Sequence, residues 1–221
     1  MITAVRQRRL VVVVTAVVAA GAAAMVPAIV TGVIYGEWED VVALLAAAAI
    51  GLTFGFVGRH YAGGGGTITS GEGFASVALS WTVLILYGTL PYIFSGSLGG
   101  LVDPLFETAA GFTTTGATVL SDPGELSHAM LLWRATTQRV GGMGIIVLSI
   151  AVLPMLGAGG VELARAEAPG PEPDRMTPRV RDTAERLWWL YVGLTVVLAV
   201  ILAVGDMDVF QAIAHAMTTM P

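Results

Sequence analysis

The sequence predicts an all-α, polytopic membrane protein with about five membrane-spanning helices and short helices that enter the membrane only part-way. Three observations carry this. The chain of 221 residues is 55% hydrophobic and only 12% charged, against about 25% charged in a soluble domain, too little charge to coat a water-facing surface. Long apolar runs recur along it, each of a length that lipid can accommodate. Between two of them lies a stretch, 95–123, that is moderately apolar yet too rich in Gly and Thr for one spanning helix.

The first span is expected over 10–34, with Pro27 placed to kink it. Arg6, Arg8 and Arg9 precede it. The run is longer than the core of a signal peptide, so a retained span is the reading, with cleavage among the small residues 19–24 as the alternative. The second span, 41–57, is alanine-rich, and Gly51 and Gly55 sit four apart, a small face suited to close helix contact. A polar, glycine-rich stretch follows over 58–73. The third span, 74–94, ends with Pro91 and Tyr92. The fourth, 130–156, opens with unusually polar turns (Arg134, Thr136, Thr137, Gln138, Arg139) and continues through Gly141, Gly142 and Gly144. Charged, proline-rich residues 162–185 read as a solvent-exposed connection. The fifth span, 187–204, is opened by Trp188, Trp189 and Tyr191 as interfacial anchors. A short apolar helix over 209–217 completes the chain.

Charge orients these spans. With the N-terminus in the cytoplasm, every arginine-bearing connection (6–9, Arg59, 165–186) falls inside and the acidic ones (Glu37, Glu39, Asp40; Asp206, Asp208) fall outside, as the distribution of basic residues around spans requires. The stretch 95–123 then enters the membrane from outside.

Within it, Asp103 is a good N-cap and Pro104 suits the first helical position, so a helix of two to three turns is expected to follow. Such a helix reaches only part of the way across the hydrocarbon core. The run Thr113-Thr114-Thr115-Gly116-Ala117-Thr118 is poor helix material. Irregular backbone at membrane depth must line a cavity or be buried in protein. A cavity lined by carbonyls suits a dehydrated monovalent cation, whose hydration shell the oxygens of Thr114, Thr115, Gly116, Ala117 and Thr118 would replace. Gly116 can take a backbone angle closed to other residues, and the short helix would aim its negative end at the cation. The residues alone leave a second reading open, an ordinary outer loop whose threonines make only local backbone bonds. A looser second copy, Asp208-Val209-Phe210 through His215-Ala216-Met217-Thr218-Thr219, also follows a span on the outer side, as internal repeats in transporters do.

Other classes find little support. There is no cysteine, the three histidines are scattered without metal-ligand spacing, and no basic patch suits nucleic acid. Gly141-Gly142-Met143-Gly144 lacks the strand that nucleotide binding needs, and no nucleophile has a base at a recognisable spacing, so no enzyme is expected.

Phe106-Glu107-Thr108-Ala109-Ala110-Gly111-Phe112-Thr113-Thr114-Thr115-Gly116-Ala117-Thr118 resembles the first pore loop of the Trk/Ktr family of potassium-uptake membrane subunits. Trp133-Arg134-Ala135-Thr136-Thr137-Gln138, Gly141-Gly142-Met143-Gly144-Ile145, Leu153-Pro154-Met155-Leu156, Arg165-Ala166-Glu167-Ala168-Pro169-Gly170-Pro171 and His215-Ala216-Met217-Thr218-Thr219-Met220 resemble later segments of its Trk branch. The resemblance implies a preliminary helix pair (1–73), a first complete membrane–pore–membrane repeat (74–157), a cytoplasmic connection (158–186) and the start of a second repeat (187–221). It implies potassium uptake through the cell membrane, with sodium in some members, no organic cofactor in this chain, and residues 113–118 as one quarter of a selectivity filter centred on Gly116. The implied partners are the lipid bilayer, a second copy of the subunit and a cytoplasmic nucleotide-binding regulatory ring, and no nucleic acid. The sequence departs from the family in stopping at Pro221 before a second filter and in lacking the third and fourth repeats. The expectation is therefore an N-terminal portion, with a non-conducting fragment or an assembly subunit as the alternative. Arg139 stands where an aromatic residue is usual.

Overall fold

A computed structural model describes residues 2–60, 70–156 and 176–221. Among these there are helices and turns and no strand: α1 (Ile2–Ala23), α2 (Val26–Tyr35), α3 (Trp38–His60), α4 (Ser70–Gly88), α5 (Leu90–Ser95), α6 (Val102–Phe112), α7 (His128–Leu156), α8 (Met176–Val204) and α9 (Val209–Thr219). They form two compact units, Met1–Gly141 and Gly142–Pro221. Four stretches are long and apolar enough to cross a membrane, Leu10–Tyr35, Trp38–His60, Gly73–Ser95 and Glu185–Val204. They coincide with four of the five expected spans. The fifth, 130–156, lies within the unbroken helix α7, whose side chains from Ile145 to Leu156 lie outside the described set.

Proline divides two of the spans. The first breaks at Ala24 and Met25, and Pro27 falls in the opening turn of α2, where its missing N–H leaves no hydrogen bond unmade. The third breaks at Thr89, with Pro91 in the opening turn of α5. The carbonyl of Gly88 at that break accepts from the indole Nε1 of Trp133 at 3.2 Å, which satisfies it inside the protein.

The first unit packs on small residues. A Cβ built on Gly51 would meet Ala22 at 2.9 Å and the ring of Tyr87 at 2.7 Å, and one on Gly55 or Gly58 would strike Ala19 or Thr15 of α1. The glycine face expected of the second span therefore sits on α1. With no solvent to drive apolar faces together, backbone proximity and dispersion hold the pair. The Tyr87 hydroxyl crosses to the Ala47 carbonyl at 2.9 Å. Met25, Leu44, Tyr92, Phe112, Ala129, Met130 and Trp133 are almost wholly buried, and Phe112 meets Trp81 and Trp133 edge to face.

In the second unit, α8 begins at Met176, well before the expected span, so the last residues of the expected connection form its opening turns. The earlier part of that connection, 157–175, and the glycine-rich residues 61–69 lie outside the described residues. Asp208 caps α9, its carboxylate accepting from the Phe210 N–H at 2.9 Å. Gly142 of α7 makes room for the chain end, since a Cβ there would lie 3.0 Å from Pro221 and 3.2 Å from the Tyr191 hydroxyl.

Candidate functional site

Helix α6 is the short helix expected between the third and fourth spans, and its first turn differs from the sequence reading. It begins at Val102 with Leu101 at the N-cap and no side-chain cap. Asp103 thus lies inside the first turn rather than at the cap. Gly99 and Gly100, the latter at φ 65°, turn the chain early enough to start the helix two residues sooner. Asp103 still places its charge at the positive end of the helix dipole.

Unlike a surface helix, α6 is buried along Pro104, Glu107, Thr108, Ala110, Gly111 and Phe112. Its seat is made of glycines. A Cβ on Gly88 would lie 2.7 Å from Phe112 and 2.8 Å from Thr108, one on Gly111 would strike Thr137, and one on Gly141 would overlap the carbonyl of Phe112. Helices α4, α6 and α7 can meet this closely only where side chains are absent.

The chain leaves α6 through tight hydrogen bonding. Thr113 N donates to Ala109 O at 3.0 Å, Thr114 N to Gly111 O at 2.9 Å, and the N–H groups of Thr115 and Gly116 both to Ala110 O at 3.0 and 3.3 Å. Thr114 (φ 55°) and Gly116 (φ 71°) occupy left-handed backbone conformations while their neighbours do not. Left-handed backbone at alternate residues can bring successive carbonyls toward one side, the local geometry an ion-binding backbone needs. Thr114 achieves it against a steric cost that glycine does not bear. Residues 115–118 are exposed.

The side chains along this segment are partly committed elsewhere. The Thr115 hydroxyl pairs with that of Thr113 at 2.8 Å. The Thr118 hydroxyl donates to Oε2 of Glu107 at 3.0 Å and accepts from Leu120 N at 3.1 Å. The Thr118 hydroxyl is thus committed within the protein. Glu107 is wholly buried in its side chain, and both oxygens are used: Oε2 accepts from Thr118 and from Val119 N at 3.1 Å, while Oε1 pairs with Nε of Arg134. No oxygen of Glu107 is left over for a mobile cation. Arg134 also brings Nη2 to 3.4 Å from the carbonyls of both Gly116 and Ala117. This link escapes sequence reading. The residues stand far apart in the chain, and arginine at the polar start of a span reads equally well as reaching outward to the headgroups. Gln138 is buried, with Nε2 3.5 Å from where a Gly116 side chain would begin.

Arg139 is engaged elsewhere in the structure and His215 is exposed. His128 acts in packing: it stacks on Tyr35 with ring centroids 3.8 Å apart and pairs with Glu37. Among the described residues, no group of His, Cys, Asp and Glu could hold a metal ion.

A family described as cation transport protein, TrkH, matches residues 43–221. The chain is 51% identical over 156 residues to the Trk system potassium uptake protein TrkH of Escherichia coli, covering 70% of this chain and 32% of that one. It is 40% identical over 200 residues to the TrkH protein of Halomonas elongata, covering 88% of this chain and 41% of the relative. The crystal structure of the potassium transporter TrkH from Vibrio parahaemolyticus superposes with a TM-score of 0.80 at 33% identity, over 95% of this chain and 42% of the other. The chain thus spans roughly a third to two fifths of the length of these relatives.

Proposed function

The chain belongs to the TrkH family of cation transport proteins, and from that premise we propose that it forms part of a potassium-uptake pathway, residues 113–118 supplying one quarter of the selectivity filter. The observation that carries this reading is the left-handed backbone at Thr114 and Gly116, directly after a short buried helix whose negative end points into the segment. The oxygens belong to Thr114, Thr115, Gly116, Ala117 and Thr118, those of Thr118 from the backbone alone. Potassium is the transported ion and sodium its companion or competitor. This chain itself holds no organic cofactor in this reading.

In this reading the protein sits in the cell membrane with its N-terminus in the cytoplasm, supported by the side on which the arginines fall. A second copy of the subunit and a cytoplasmic nucleotide-binding ring complete the assembly, and these two partners rest on family resemblance.

The test is potassium uptake by a host stripped of its own uptake systems and expressing the whole gene product, with Gly116→Ser beside the parent and membrane insertion measured in both. Uptake that disappears in Gly116→Ser at equal insertion supports the reading. Equal uptake by both removes residues 113–118 from the pathway. A well-inserted parent that moves no potassium points to a non-conducting assembly subunit.

A further inference from the structure

Arg134 is a charged side chain that reaches the backbone of 113–118. Its guanidinium is divided between two tasks. Nε holds the buried carboxylate of Glu107, while Nη2 lies 3.4 Å from the carbonyl oxygens of Gly116 and Ala117. The ion pair by itself does not call for arginine, since a lysine ammonium would serve a carboxylate as a point charge. What arginine adds is a second arm, and that arm faces the carbonyl oxygens of Gly116 and Ala117.

A carbonyl oxygen facing a guanidinium has less negative potential to offer a second cation, and a fixed positive charge a few ångströms away opposes any cation arriving there. The group is held in place. The Arg134 side chain is 12% exposed and that of Glu107 is fully buried. Glu107 is itself fixed by Thr118 and Val119 at 3.0 and 3.1 Å. A charge this confined is screened little by salt.

We infer that Arg134 is a tethered cation that weakens cation binding at the Gly116 and Ala117 carbonyls and so sets the cation affinity of that part of the filter segment; this rests on the filter reading above. Arg134 acts on affinity through two backbone oxygens, with Glu107 as its positioning partner.

Two variants test it in the uptake assay on the whole gene product. Arg134→Lys keeps the buried ion pair, and with it folding, but removes the second arm. Glu107→Gln combined with Arg134→Gln removes both charges without leaving one unpaired. The KM for potassium is expected to fall in both, by about threefold or more in the neutral pair and less in Arg134→Lys, with Vmax per inserted protein changing less than KM. A merely structural role would lower insertion or Vmax and leave KM alone. An unchanged KM in Arg134→Lys, or in the neutral pair where it inserts, overturns the inference while parental uptake keeps the filter reading intact. Absence of uptake by the inserted parent instead overturns the filter reading and this inference with it.

Discussion

Glu37 closes the N-terminus of the helix that begins at His128. Its Oε1 accepts from the His128 backbone N–H and from Nδ1 of the same residue, both at 2.8 Å, and its Oε2 accepts from the Ala129 N–H at 2.8 Å. One carboxylate from the turn between the first two spans thus satisfies two orphan donors of α7 and complements its dipole. Gly32 assists, because a Cβ there would lie 3.1 Å from Ala129. The first two spans are in this way locked to the helix that carries Arg134. Glu37→Ala is expected to cost about 1–2 kcal/mol, the range of a lost N-cap, and Glu37→Gln less. Thermal unfolding of the detergent-solubilised protein checks the order Ala worse than Gln; equal stability of Glu37→Ala and parent would refute the cap.

The seat of α6 predicts a contrast between glycines. Gly141→Ala places a methyl group on the backbone of Phe112 and should destabilise by about 1–3 kcal/mol. Gly73, in α4, has no atom within 4 Å of an added Cβ, and Gly73→Ala should be neutral or slightly stabilising. Comparing the two melting temperatures decides whether close approach, rather than helix propensity, governs Gly141.

Backbone strain separates Thr114 from Gly116, although both are left-handed. Gly116→Ala is expected to cost about 1–2 kcal/mol, the penalty of a Cβ in that conformation. Thr114→Gly removes such a penalty and adds chain entropy of similar size, so its stability should stay within about 1 kcal/mol of the parent. A strong loss in Thr114→Gly would show that the threonine side chain, not its backbone, holds the segment.

Tyr92 is fully buried, and its hydroxyl finds no hydrogen-bond partner among the described residues. Burying an unpaired hydroxyl is costly, so Tyr92→Phe should raise stability by about 1 kcal/mol. A drop in melting temperature would mean that the hydroxyl makes a bond through a bound water.

The expected helices were legible because lipid imposes a simple rule. Apolar runs long enough to cross must be helices, and the prolines and glycines that interrupt them mark the breaks at Met25 and Thr89. The start of α6 was read two residues late because Asp103 is as favourable in a first turn as at a cap. The threonine-glycine segment stood out since threonines crowded beside glycine resist helix. The hydroxyl of Thr118 did not reveal itself as Glu107's partner, because nothing local distinguishes a committed hydroxyl from one facing a pathway.

By itself the sequence determined the helical membrane class, the order of the spans, the short helix after the third and the residues of the irregular segment. All of these follow from local composition and from the bilayer's demand that backbone groups be paired within the chain. Only the tertiary structure decided which distant groups meet: Glu37 with His128, Trp133 with Gly88, Glu107 with Arg134, and Arg134 with the carbonyls of Gly116 and Ala117. A buried charge needs a partner, but the chain states only the need. Which partner answers is fixed by how α6 seats against Gly88 and Gly141 and, through its own Gly111, against Thr137, a matter of packing across helices that no local pattern encodes.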